Sequence, residues 1–176
     1  MKGILRRVGA GQQLGLIVII ITLMAVASII NPIALNPGNL VEILRSSSIY
    51  FIGASAATLL IVGGGLDLSI GSVFAVGGVT AGFVMNAGAP WPLAILAGVA
   101  MSAVLGAVNA LLIVGVKIPP FIATLSMLFI ASGLVIVTTS GTPRFGFPAG
   151  FTDVAQLNLF GVPLLVYYAV LIGIVA

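Results

Sequence analysis

Six apolar runs, parted by short polar breaks, constrain this chain more than any single motif. They cover residues 14–30, 47–62, 69–85, 92–116, 119–137 and 162–176. Asn36-Pro37-Gly38 marks a turn, Asn39 can cap a short segment carrying Glu42 and Arg45 ahead of the second run, and residues 139–161 read as a polar loop with Arg144 and Asp153. A helix that crosses the hydrocarbon layer needs about 20 mostly apolar residues, with a range of roughly 17–25. Runs one, three, four and five meet that length. The second is slightly short, and the sixth is still apolar at Ala176. None alternates strictly between apolar and polar residues, which excludes the strands of a membrane barrel. Charged residues make up 5% of the chain, against about 25% in an ordinary soluble domain. So few charges cannot cover a soluble surface. The sequence therefore predicts an all-α fold: a polytopic transmembrane helical bundle of about six spans, with residues 1–176 forming one domain.

The six basic residues give a formal charge of +3. They are scattered and form no stripe that would follow a phosphate backbone, so nucleic acid is excluded as a partner. Their positions instead report orientation. With the N-terminus in the cytoplasm and one crossing per run, Lys2, Arg6, Arg7 and Lys117 lie inside, while Arg45 and Arg144 lie outside. That is the bias of the positive-inside rule. Glu42 and Asp153 further offset the outer pair. The first run follows a basic segment, and Ala25-Val26-Ala27 resembles a signal-peptidase site. The apolar run continues past that site to Ile30, which favours an uncleaved span.

Glycine is abundant, at 23 residues. In the fourth run Ala94, Gly98, Ser102, Gly106 and Ala110 recur at every fourth position, and Gly78 and Gly82 form a shorter pair in the third. Small residues at this spacing let helix backbones approach closely, so both sets are expected to be packing faces.

The segment Gly63-Gly64-Gly65-Leu66-Asp67-Leu68-Ser69 parts the second and third runs. Three glycines end a helix readily because they accept positive φ. Asp67 or Ser69 can accept hydrogen bonds from the first turn of the next helix. Two placements stay open. The break is a cytoplasmic turn with Asp67 as a solvated cap, or it lies at membrane depth beside a cavity, where irregular backbone and a carboxylate are tolerated. Of the polar residues inside the runs, Asn109 stands out because its amide needs several partners. Pro119-Pro120 reads as the start of a helix. Gly63, Gly64, Gly65, Asp67, Ser69, Asn109, Pro119, Pro120 and Thr124 are the candidate pathway or gating residues.

Enzyme chemistry fits poorly. The chain has no His and no Cys, so an imidazole base, a thiol nucleophile and thiolate metal sites are excluded. Asp67 has no second carboxylate in the runs with which to form an aspartyl pair. The phosphate-binding pattern G-x-x-x-x-G-K-[ST] is absent: the lysines are Lys2 and Lys117, and Ile118 follows the latter. No catalytic residue and no metal site is expected. Any ATP-driven role needs another chain to hydrolyse the nucleotide.

Three blocks resemble a known family: Gly64-Gly65-Leu66-Asp67-Leu68-Ser69-Ile70-Gly71-Ser72, Asn109-Ala110-Leu111-Leu112, and Lys117-Ile118-Pro119-Pro120-Phe121-Ile122-Ala123-Thr124-Leu125. In order and spacing they are similar to the permease subunits of bacterial ATP-binding-cassette importers for ribose, xylose, arabinose and related monosaccharides. The related branched-chain amino-acid permeases share the broad fold but resemble the first block less. The chain departs from the sugar pattern at Ser126 and at Ser132-Gly133. The resemblance implies a multi-pass inner-membrane subunit that lines a translocation pathway. It also implies a second permease subunit, cytoplasmic ATPase subunits carrying ATP and magnesium, and a sugar-binding protein that delivers the solute. Members of the family continue through further spans and a cytoplasmic coupling loop, so this sequence is expected to be the N-terminal portion. The alternatives are a permease for another small solute such as a nucleoside or branched-chain amino acid, a secondary transporter or channel whose glycine break binds the solute directly, and a small membrane scaffold.

Overall fold

A computed structural model describes residues 2–143 and 146–175, with side chains from Leu14 onward. The chain divides into two compact units, Met1–Ser47 and Ser48–Ala176.

In the first unit, α1 runs from Lys2 to Ile30 and stops at Asn31-Pro32. The Asn31 side chain accepts from the Ile33 N–H at 3.0 Å, which opens a 3-10 turn over Pro32–Leu35. Asn36 then caps α2, Pro37–Val62: its side chain accepts from the Gly38 N–H at 2.9 Å and its carbonyl from the Leu40 N–H. Pro37 takes the first helical position, where a missing N–H costs nothing. The sequence places a separate short segment, capped by Asn39, ahead of a span that starts at residue 47. The structure instead shows one continuous helix. Nothing between Asn39 and Ser47 breaks it, and Arg45 Nη1 pairs with Glu42 Oε1 at 2.7 Å one turn apart. The Asn39 amide turns back to donate to the Ala34 carbonyl.

The second unit takes in the end of α2 and is built around α3, Ile70–Asn86. α3 packs chiefly on α4, Trp91–Ala110, and next on α5, Pro120–Thr139. Between α4 and α5 the chain makes a π-helical turn, Leu111–Gly115. Pro119 and Pro120 open α5 as the sequence predicts. The buried apolar residues are small or slender: Val76, Met85, Ala94, Ala123, Met127, Ala131 and Ala169. Large apolar side chains such as Phe74, Leu96 and Phe129 stay exposed. That inversion suits lipid, where apolar burial supplies no drive for helices to associate and close backbone packing does.

Among the described residues, three helical stretches are long and apolar enough to cross a membrane: Pro37–Val62, Trp91–Gly115 and Pro120–Thr139. Leu14–Ile30, Ile70–Asn86 and Leu164–Val175 are shorter apolar helices. The polytopic helical class thus holds.

Two predicted boundaries shift. Residues 139–161, read as a polar loop, contain α6, Ala149–Gln156, and begin a small hairpin. Its strands β1, Asn158–Leu159, and β2, Val162–Pro163, pair antiparallel. Phe160 and Gly161 both take positive φ, as a two-residue hairpin turn requires. Hence α7 spans only Leu164–Val175, because the first two residues of the predicted sixth span lie in β2. Arg144 lies outside the described residues.

Candidate functional site

The glycine break ends α2 with a left-handed cap. Gly64 sits at φ 79°, its N–H donates to the Ile61 carbonyl at 3.0 Å, and the Gly65 N–H donates to the Leu60 carbonyl at 2.8 Å. These bonds satisfy carbonyls that the helix end would leave bare. Gly63 N–H still donates within the helix pattern, to the Leu59 carbonyl. Of the three glycines, Gly64 is the one whose φ demands the residue type.

Beyond the cap, the chain turns inward. Asp67 Oδ1 accepts two hydrogen bonds from Ser69: the backbone N–H at 2.7 Å and the hydroxyl at 2.6 Å. Ser69 is 1% exposed, and its Oγ in turn accepts from Asn109 Nδ2 on α4 at 2.9 Å. The single hydroxyl proton of Thr124 on α5 is shared between two carbonyls, Pro120 of its own helix at 2.8 Å and Leu66 of the break at 3.3 Å. Asp67, Ser69, Asn109 and Thr124 therefore meet through the break, which α4 and α5 hold by one hydrogen bond each. Ser69 does not cap α3 with its side chain, contrary to the simplest sequence expectation. Its carbonyl accepts from the Val73 N–H and the Ser72 hydroxyl, while its Oγ is committed to Asp67. Asn109 is 4% exposed, and its Oδ1 has no hydrogen-bond partner among the described residues. A buried polar atom left in that state costs about 1–3 kcal/mol.

Pro119 and Pro120 stand at the far side of a strained connection. After the π turn, Lys117 adopts φ 64°, an unusual conformation for a residue with a Cβ. The Ile118 N–H reaches back to the Leu112 carbonyl at 3.0 Å. No sequence signal marked this strain. The Leu66 carbonyl was equally invisible, being backbone.

The packing ladder is only partly realised within the chain. Ala94 and Gly98 are buried against α3, and Ser102 Oγ donates to the Val73 carbonyl at 3.3 Å. Gly106 and Ala110 are exposed, and a Cβ on Gly106 would meet nothing within 4 Å. A strict four-residue step drifts about 40° per step on a 3.6-residue helix. The less exposed positions follow one step of three instead, from Ser102 to Leu105, and then reach Asn109. On α3 the close approach belongs to Gly77, not Gly78. A Cβ on Gly77 would collide with Ser102 Oγ and lie 3.0 Å from the Gly98 carbonyl oxygen. Gly78 is exposed with open space around it, and Gly82 packs on the Phe147 ring. Counting Gly77 with Val73 and Ala81, at four-residue spacing, would have found it.

A family model described as "Branched-chain amino acid transport system / permease component" matches residues 39–176. The match covers the break, α3, α4 and α5 together. This chain belongs to that family. The permease chain is also 32% identical over 166 residues to the autoinducer 2 import system permease protein LsrD of Escherichia coli K12. The same identity relates it to LsrD of Shigella flexneri and of Escherichia coli O157:H7. Each alignment covers 90% of the permease chain and 50% of the relative. The permease chain thus spans about half the length of the curated relatives it matches. No solved structure matches it.

Proposed function

We propose that this chain forms part of the transmembrane pathway of an ATP-binding-cassette importer in the bacterial inner membrane, carrying a small neutral solute of monosaccharide type. The observation that carries the reading is the family match across residues 39–176, which includes the hydrogen-bonded break. The importer relatives align with 90% of the chain. ATP and magnesium belong to separate cytoplasmic subunits, since the chain has no phosphate-binding lysine loop. A sugar-binding protein delivers the solute, and a second permease subunit completes the path. The Gly64–Ser69 break, with Asn109 and Thr124 behind it, is the pathway or gating element. Gly78, Gly106 and Ala110, small and exposed in this chain, suit close packing against that second subunit or against lipid.

The test is reconstitution in proteoliposomes of the permease that carries this sequence, together with the ATPase and sugar-binding subunits of the same importer. Ribose, xylose, arabinose and autoinducer 2 serve as labelled solutes. ATP-dependent, binding-protein-dependent uptake of one of them is the expected result. Uptake driven by an ion gradient without the ATPase would overturn the importer reading in favour of a secondary transporter.

A further inference from the structure

We infer that the side-chain carbonyl of Asn109 is a receptor for a hydroxyl group, supplied by water or by an alcohol hydroxyl of the transported solute. The solute arm rests on the proposed function; the water arm does not.

The amide has one possible orientation. Ser69 has a single hydroxyl proton, and it is directed at Asp67 Oδ1. Ser69 Oγ can then only accept, so the Asn109 group beside it must be the donating Nδ2. Turning the amide would set two acceptors against each other. Oδ1 is therefore held on the opposite side, with Asn109 4% exposed and no described residue donating to it.

An acceptor fixed in this way selects a donor. It repels anionic solutes, as does the Asp67 carboxylate one hydroxyl away. A divalent cation would need several oxygen ligands, and the described residues contain no cluster of three or more acidic groups. A neutral hydroxyl suits a lone amide oxygen. The site also lies where α4 gives up regular geometry, since the π turn begins at Leu111, two residues on. Such turns are frequent at functional sites.

The experiment is solid-state NMR on the full chain in lipid bilayers. Labelling Val at its carbonyl carbon and Asn at all carbons and nitrogens singles out Asn109, because Val108-Asn109 is the one Val-Asn pair in the sequence, and correlation within the residue then reaches its side-chain carbonyl; Ala is carbon-labelled for the comparison. Magnetisation transfer from water to the Asn109 side-chain carbonyl is compared with transfer to buried Ala94. Ribose, xylose and arabinose are then titrated, with acetate as the anionic control. Transfer several-fold above that to Ala94 identifies water as the donor. A saturable carbonyl shift with a monosaccharide, and none with acetate, identifies the solute. Either supports the inference. Neither signal, or a contact from a protein N–H of a second copy, overturns it. Failed sugar uptake with water transfer intact would sink only the importer reading.

Discussion

At the scale of single residues, glycines that look alike in sequence differ in what surrounds them. Gly77 and Gly106 both sit in apolar helices, yet only Gly77 has another backbone against it. Gly77→Ala is expected to force α3 and α4 apart and cost roughly 1–3 kcal/mol, the range for overpacking a tight contact. Gly106→Ala should stay within about 0.5 kcal/mol of the parent. Titration with a denaturing detergent, followed by helical circular dichroism, reads both; equal losses would refute the assigned contact. Thr124 offers a second residue-level test. Thr124→Val keeps the shape but removes the bond to the Leu66 carbonyl, and should cost about 1 kcal/mol in the same titration. No loss would mean that this bond does not help hold the break.

The elements depend on how their ends are made. α2 ends where it does because Gly64 adopts φ 79°, a left-handed value that costs a residue with a Cβ roughly 1–2 kcal/mol. Gly64→Ala is therefore expected to destabilise by about that amount and to loosen residues 63–69. Gly71→Ala, in α3 with open space around it, should be neutral or stabilise by roughly 0.5–1 kcal/mol. Hydrogen exchange at Gly65 and Ser69 reads the loosening directly, and unchanged exchange in the Gly64 variant would count against the cap. Helix starts were legible because Pro cannot donate an N–H and Asn readily caps. Pro120 opens α5 as read. The start of α2 differs from the reading because Asn36-Pro37-Gly38 has the composition of a turn, and only the structure shows that Asn36 caps the helix while the Asn39 amide turns back to Ala34. The hairpin at Asn158–Pro163 escaped notice because two-residue strands leave no periodicity to detect.

For the whole molecule, orientation in the membrane decides which side each connection faces. The chain contains no cysteine, so single cysteines report cleanly. With six crossings and a cytoplasmic N-terminus, Lys117→Cys should react with an impermeant thiol reagent only from the cytoplasm, and Arg45→Cys only from outside. The reverse pattern would overturn the assignment. Asp67→Cys decides where the break lies. Slow labelling that a solute alters fits a cavity at membrane depth, whereas labelling as fast as at neighbouring cytoplasmic positions makes it an exposed turn.

The sequence by itself determined the solvent, the helical class and the family. Those follow from the near absence of charge, the length of the apolar runs and blocks of local residues such as Gly64–Ser72. It also singled out Asp67, Ser69, Asn109 and Thr124, because polar groups in apolar runs need partners. It did not pair them. Ser69 and Asn109 are 40 positions apart, and Leu66 and Thr124 are 58 apart. The tertiary structure decided that α3 lies between α4 and α5, that Gly77 and not Gly78 makes the close contact, and that the Asn109 carbonyl faces away from Ser69, to which its amide nitrogen donates. Periodicity reports which face of a helix is distinctive. What that face meets depends on crossing geometry and on the direction of each hydrogen bond, and both exist only once the helices are packed.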